Sequence, residues 1–136
     1  MAEKFSAEER AAMRERNKEL KETKNREESA AIVVETLAAM PEADRAIGER
    51  LHEIILAVSP DLYPKNWYGQ PAYYKDGAVI CFFQGSAKFK TRYSTLGFSD
   101  SAAIDEGSMW PTSFGLTSLT KADEKRVIEL VTRAIS

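Results

Sequence analysis

Two stretches of the chain carry hydrophobic residues at helical spacing. In residues 42–58 the apolar positions follow i, i+4, i+7, i+8 and i+11, and they are Ile47, Leu51, Ile54, Ile55 and Val58. In residues 121–134 the apolar set comprises Val127, Leu130, Val131 and Ala134, preceded by a helix-capping sequence that begins at Thr120. Such spacing predicts two amphipathic helices, each with one apolar face. We expect these faces to pack on a sheet.

Aromatic and β-branched runs fill the region between the two helices. Residues 72–74 and 79–83 flank Asp76-Gly77, a pair that is typical of the two-residue turn in a β-hairpin. The run at 79–83 is apolar on both faces, so it is predicted to be an interior strand.

Further strands are predicted over 89–98 and 110–119, where Pro111 suits a strand start or an edge strand. Strands in one block with helices at both ends indicate an α+β fold. Because the connections are short, we expect an antiparallel sheet of four or more strands, packed by helices near both termini.

The N-terminal segment differs from the rest of the chain in its amino-acid composition. Residues 1–28 contain eight acidic and eight basic side chains and few large apolar ones. Ser6 and Glu9 have the spacing of a capping box, which predicts a helix start. We therefore predict a charged helical N-terminal extension over 1–28 and one α+β domain over 29–136, with a helix before Pro41.

Charge and composition exclude several classes of function. The net charge of −2 gives no basic footprint for nucleic acid, so no nucleic-acid partner is expected. No apolar run reaches about 18 residues, so no membrane association is expected. The polar N-terminus lacks the apolar stretch of a signal peptide, which predicts a cytoplasmic protein. With a single cysteine, Cys81, and a single histidine, His52, the chain forms no internal disulfide and no thiolate metal cage.

A family resemblance enters at residues 67–73, which read Trp-Tyr-Gly-Gln-Pro-Ala-Tyr. Together with the runs at 81–84, 88–93, 96–98 and 109–112, this motif resembles the YdhG-like family of small bacterial proteins of largely unknown function. The resemblance covers roughly residues 29 to 135, and it implies methionine at the position that Gln70 occupies. It also implies a frataxin-like outline, and one member of the family is regarded as an iron chaperone that delivers ferrous iron.

The resemblance makes Fe²⁺ a ligand to look for, and the second helix offers carboxylates. Stepping about 100° per residue from Glu42 places Glu49 and Glu53 within about 20° of it, opposite the apolar stripe. Hard cations prefer such oxygen ligands, so these three residues are the candidate metal site, with an iron-recipient protein as the implied partner. The alternative is that an amphipathic helix simply places its charges outside.

A second candidate site combines aromatic rings with cations, as a pocket for a small anionic or planar ligand, or for a protein partner, would. Its members are Trp67, Tyr68, Tyr73, Lys88, Lys90, Arg92, Tyr93 and Trp110. The alternative is that the rings belong to the core and the cations protect sheet edges.

An enzyme is the class with the least support. His52 has no partner at an informative spacing, and Cys81 lies inside an apolar strand where an inert buried thiol is expected. No glycine-rich phosphate loop and no nucleophile motif is present. No catalytic residues are therefore predicted, and binding, of weakly held iron or of a small ligand, is the expected function.

Overall fold

The computed structural model describes residues 6–136. Its helices are α1 (Ala7–Ala38), α2 (Glu42–Val58), α3 (Ser86–Phe89) and α4 (Lys121–Ala134). Its strands are β1 (Tyr63–Trp67), β2 (Gln70–Lys75), β3 (Ala78–Gln84), β4 (Ser94–Phe98) and β5 (Ser113–Leu116). The strands form one sheet in the order β1-β2-β3-β4-β5, and every neighbouring pair is antiparallel. The predicted α+β fold with an antiparallel sheet is confirmed.

The first helix is continuous across the predicted boundary at residues 28 and 29. It begins with the predicted capping box, in which Ser6 accepts from the Glu9 amide and Glu9 accepts from the Ser6 amide. From Ser6 to Glu28 every residue except the half-buried Arg10 is exposed, whereas Val33 and Leu37 are buried. The division into an extension and a domain stays a prediction, now placed within a single helix.

Removal of residues 1–24 is expected to lower the melting temperature by less than about 8 °C. The physical reason is that the described part of this segment buries no large apolar side chain. A longer truncation, to residue 34, should cost clearly more because it also deletes the buried Val33. Thermal unfolding of the two truncated chains provides the comparison, and an equal, large loss in both would show that the extension is part of the core.

Helices α2 and α4 match their predicted ranges. Ile47, Leu51, Ile54 and Ile55 are buried on α2, and Val127, Val131 and Ala134 are buried on α4. Thr120 accepts a hydrogen bond from the amide of Asp123, whose carboxylate accepts one from the Thr120 amide. The two apolar stripes form one core with the covered face of the sheet, where Tyr73, Phe83 and Leu96 are fully buried.

The β2–β3 hairpin turns as predicted at Asp76 and Gly77, with φ of 51° and 81°. Strand β3 is the central strand, which confirms its interior position. Cys81 on this strand is completely buried, and burial raises the pKa of its thiol to about 12. The native thiol is therefore neutral at physiological pH.

Two strand predictions are wrong in extent, and one strand was not predicted. The predicted strand 89–98 begins later than expected, because Phe89 ends α3, the chain reverses at Lys90, where φ is 53°, and β4 begins only at Ser94. Only Ser113–Leu116 of the predicted strand 110–119 pairs with the sheet, after Pro111. Strand β1 contains Pro64, which is tolerated because β1 lies at an edge of the sheet.

On the outer face of the sheet, an aromatic side chain packs directly against a glycine of the neighbouring strand. Phe82 pairs with Gly97, where an added Cβ would lie 2.3 Å from the Phe82 ring, and the centroids of the Trp67 and Phe82 rings are 5.1 Å apart. No helix within residues 6–136 is both long and apolar enough to cross a membrane.

Candidate ligand-binding site

A cavity of about 400 Å³ lies where the end of α1, the start of α2 and α3 meet one end of β2 and β3. Its apolar walls are formed mainly by Met40, Pro41, Phe83 and Phe89. Polar side chains of Thr36, Asp44, Gln70 and Lys88 complete the lining. This volume and this mixture, a largely apolar wall with a few polar groups, are typical of a small-molecule site.

Asp44 fixes the geometry on the helical side of the cavity. It is only 3% exposed, and it accepts hydrogen bonds from Ser86 Oγ at 2.7 Å, from Ser94 Oγ at 3.0 Å and from the Ala87 amide at 2.9 Å. These donors come from the short helix α3 and from β4. Asp44 therefore ties α2 to the segment that closes the cavity.

The charge of Asp44 is stabilised by these donors. Burial alone raises the pKa of its carboxyl group, but the hydrogen bonds from Ala87, Ser86 and Ser94 together outweigh burial and hold the pKa below its usual value. Gly85 permits the approach, because a Cβ there would lie 3.2 Å from Asp44 Oδ2. Asp44 is thus an ionised structural anchor with its acceptor capacity largely used.

Gln70 differs from Asp44, because its side-chain oxygen is a hydrogen-bond acceptor with no donor among the described residues. Its side chain is 8% exposed, and its Oε1 atom is buried with no hydrogen-bond partner within residues 6–136. A buried acceptor left unpaired costs about 1–3 kcal/mol, so native proteins rarely retain one without a reason. Gln70 lines the cavity, so a ligand that moves into contact with its amide group could supply the missing N–H or O–H donor.

Lys88 supplies a positive charge at the mouth of the cavity. Its ammonium group lies 3.4 Å from the carbonyl oxygen of Gly69 and forms no ion pair within the described residues 6–136. Gly69, at φ 76° in the two-residue turn between β1 and β2, brings that carbonyl to the rim. The cation is therefore available to an anionic group.

The predicted aromatic-basic set does not surround one pocket. Lys88 lines the cavity, and Trp67 pairs with Gln70 across β1 and β2, while Tyr68 beside it is 81% exposed. The other members lie elsewhere: Tyr73 is in the core, Lys90 is exposed after α3, Arg92 lies over the Tyr93 ring near β5, and Trp110 lies beside α4. Their role in ligand binding stays a prediction.

The candidate metal residues lie on the exposed side of α2. Glu49 is 3.9 Å from Arg45, and Glu53 is 2.8 Å from Arg50, while Glu42 is exposed at the helix start. Among residues 6–136 no group of three or more His, Cys, Asp or Glu side chains is close enough together to hold a metal ion. Any ferrous ion on this face would be held as a hydrated ion, in competition with the two arginines.

Changing Glu42, Glu49 and Glu53 together to Gln is expected to abolish whatever ferrous iron binding the protein has and to leave the fold intact. The three residues are exposed, and an exposed site should weaken as salt is added. Anaerobic calorimetry with Fe²⁺ on the wild type and the triple variant measures this. Equal binding by both proteins, or binding by neither, would show that the acidic face is only a solvated surface.

His52 contacts the core from the same helix. Its Nδ1 atom and the Tyr73 hydroxyl are 3.0 Å apart and share a hydrogen bond. Burial lowers the pKa of His52, against a smaller opposite effect of Glu53 and Glu49, and burial raises the pKa of Tyr73. Both groups are therefore neutral near pH 7, and the pair belongs to the packing of α2 on β2.

The sequence contained a signal for Asp44 that the prediction did not use. At 100° per residue Asp44 lies about 200° from Glu42, close to the apolar stripe centred near 160°. A carboxylate on the apolar face of a helix must be paired when it is buried. Gln70 gave no comparable signal, because only the assembled strands bury its side chain.

Comparison with protein-family models, with characterised proteins and with solved structures gave no match for this chain. The fold itself is an α+β arrangement with a five-stranded antiparallel sheet, and the site is defined by its own geometry.

Proposed function

We propose that this protein acts by binding a small ligand in the cavity between α2, β2 and α3. The ligand class is an aromatic or otherwise planar molecule that carries an anionic group and a hydrogen-bond donor. The observation that carries the proposal is a cavity lined by Gln70, whose buried Oε1 has no hydrogen-bond partner within residues 6–136, and by Lys88, whose ammonium group forms no ion pair within those residues.

The apolar walls support the choice of a planar ligand. Phe83 is completely buried and Phe89 is partly exposed, so a ring placed between them would leave water on contact with both. Met40 adds a flexible apolar side chain that adapts to ring shape. A ligand built only of polar groups would leave these walls without favourable contacts.

The polar groups support the choice of substituents. Oε1 of Gln70 is suited to accept a hydrogen bond from a ligand N–H or O–H group, and the Lys88 ammonium group is suited to bind an anionic group of the ligand. Asp44 already accepts three hydrogen bonds and stabilises the wall of the cavity. A carboxylate on the ligand therefore belongs at the rim, and its N–H or O–H group belongs at the inner end.

As a second proposal, we infer that the chain is a member of the YdhG-like family, with its frataxin-like outline. It rests on the motif at residues 67–73 and the related runs, and it would add weak ferrous iron binding and an iron-recipient partner. Glu49 and Glu53 are engaged with arginines, so the acidic face supports this function less than the cavity supports small-ligand binding.

The test uses matched aromatic probes and amide-resolved NMR titration. Indole-3-carboxylate carries both required groups, indole lacks the anion, and 1-methylindole-3-carboxylate lacks the donor. We expect saturable shifts at Gln70, Ala87 and Lys88 with the first probe and clearly weaker binding of the other two. Absence of saturable shifts around the cavity with all three probes would contradict the proposal.

Lys88→Met, with Lys90→Met as its matched control, tests the role of the rim cation. Both changes remove one charge from neighbouring exposed positions, but only Lys88 lines the cavity. Lys88→Met should weaken indole-3-carboxylate binding about fivefold, the equivalent of ~1 kcal/mol for a partly exposed ion pair. Equal weakening by the two variants would show that the effect comes from the overall charge of this surface, and that Lys88 does not contact the ligand.

A further inference from the structure

Strand β5 leaves one edge of the sheet open. Among residues 6–136 it pairs with β4 alone, and the amide of Phe98 donates to the carbonyl oxygen of Thr112 at 2.7 Å. Hydrogen-bonded pairs alternate along an antiparallel ladder, so Phe114 and Leu116 also bond toward β4. The N–H and C=O groups of Ser113 and Gly115 therefore point away from the sheet, and both residues are exposed.

The opposite edge of the sheet is covered. Helix α1 runs along β1, where Asn66 donates to Thr36 Oγ1 at 2.9 Å and the Arg26 guanidinium lies 4.0 Å from the centre of the Tyr63 ring. Proteins commonly protect edges in this way, because free main-chain groups are a template for another strand. Edge β5 has no such helix over its backbone groups within the described residues 6–136.

A groove follows the open edge between β5 and α4. It contains two depressions of about 180 and 190 Å³, and Phe114, Arg126 and Leu130 belong to both. The first depression reaches past the start of β5 to Trp110, and the second reaches past its end to Ser118. Apolar side chains line part of both depressions, together with Glu106, Glu129 and Arg133 in the first and Asp123 in the second. The groove continues beyond each end of the strand.

Arg126 stands at the junction of the two depressions. Its guanidinium lies 5.1 Å from the centre of the Phe114 ring, and it forms no ion pair with any residue in 6–136. Asp123, one turn earlier on α4, interacts electrostatically with Arg126, but its carboxylate accepts the Thr120 amide at the helix start. With no direct ion pair within residues 6–136, a guanidinium held over a ring is suited to bind a carboxylate from outside.

We propose that β5 and α4 form a docking site for an extended peptide that adds a sixth strand to the sheet. The main chain of the peptide bonds to Ser113 and Gly115, its alternate apolar side chains enter the two depressions, and an acidic side chain meets Arg126. This is β-strand addition, in which main-chain bonds give affinity and pockets select side chains. Because the groove is open at both ends, the peptide passes through it and supplies the carboxylate from a side chain.

A second copy of this chain fits the edge less well. Residues 112–118 contain no acidic side chain for Arg126. Phe114 and Leu116 already pack into their own protomer, so a second β5 would bring no side chain to fill the depressions. The occupant is therefore a different, acidic and apolar segment.

The test begins with selection of random nine-residue peptides displayed on phage against the full chain. We expect enrichment of sequences that alternate apolar residues around one Asp or Glu, and the strongest is then synthesised as the probe. In amide hydrogen exchange, this peptide should slow the amides of Ser113 and Gly115 more than those of the covered edge β1. Failure of the selection to enrich any such sequence would overturn the proposal.

Two pairs of variants locate the peptide. Ser113→Pro removes an outward N–H on an edge strand, where proline is tolerated, whereas Ser113→Ala keeps it, so only the first should weaken binding, by about three- to tenfold. Arg126→Met should weaken binding of the acidic peptide, while Lys125→Met, one residue away on the exposed side of α4, should not. Unchanged binding in both Ser113→Pro and Arg126→Met would overturn the proposal, as would a concentration-dependent dimer that Ser113→Pro abolishes.

Discussion

Asp44→Ala is expected to lower the free energy of unfolding by about 3 kcal/mol and the melting temperature by roughly 10 °C. The carboxylate is the common acceptor of Ser86, Ser94 and Ala87, and without it these part-buried donors lose their partner. The segment that closes the cavity would also lose its link to α2. Chemical denaturation of the purified variant measures the change.

The matched control for Asp44 is Glu42→Ala, an acid-to-alanine change two residues earlier on an exposed position. That change should stay within about 0.5 kcal/mol of the wild type. If Asp44→Ala cost no more than Glu42→Ala, the hydrogen bonds to α3 and β4 would not be significant for stability.

The same carboxylate gives the stability of the fold a pH dependence. Because the pKa of Asp44 is lower in the folded than in the unfolded chain, its contribution is present above the unfolded value, about 4, and is lost as pH falls through the folded pKa. Stability of the wild type should therefore fall on acidification below about pH 4. The fall should be shallower in Asp44→Asn, which cannot titrate at this position.

Gly48→Leu should destabilise the fold by about 3 kcal/mol, even though leucine favours helix more than glycine does. A Cβ at this position of α2 would lie 2.7 Å from Leu37 Cδ2 and 2.8 Å from Phe83 Cε2. Both side chains are essentially fully buried, so neither has space to move aside. The glycine lets α2 pack directly on the sheet beside the cavity.

Ala46→Leu is the control for this crowding, since Ala46 is exposed two residues earlier on the same helix. Its effect on the free energy of unfolding should be within about 0.5 kcal/mol. Equal stability of the two leucine variants would mean that the core around Leu37 and Phe83 rearranges to accept a side chain, and close packing at Gly48 would then not limit the size of this residue.

Local sequence patterns were enough to predict those elements whose formation depends on residues within the element itself. The apolar stripe of 42–58, the Asp76-Gly77 turn and the cap at Thr120 each act within a few residues, so the sequence predicted them correctly. The error at residues 89–93, which were predicted as strand, is caused by a residue far away in the sequence. Asp44, more than 40 residues away, binds the donors that hold α3, and the turn at Lys90 then delays β4.

The candidate site was less predictable than the fold for the same reason. Lys88 was identified from its place among rings and cations, and it does line the cavity. Tyr73 and Trp110 looked equivalent to it in the sequence, but strand pairing sends one into the core and leaves the other beside α4. The importance of Gln70 arises only when neighbouring elements remove water from its amide.

Gln70→Met provides the most direct measurement of the proposed ligand site. The substitution keeps the approximate length and removes the unpaired acceptor, so the free protein should be as stable as the wild type or more stable by about 1 kcal/mol. Binding of indole-3-carboxylate, followed by calorimetry, should nevertheless weaken about fivefold or more. Binding of 1-methylindole-3-carboxylate, which has no donor for Gln70, should stay the same. A variant that is less stable than the wild type but binds indole-3-carboxylate equally well would contradict the account, because Gln70 would then be a structural residue.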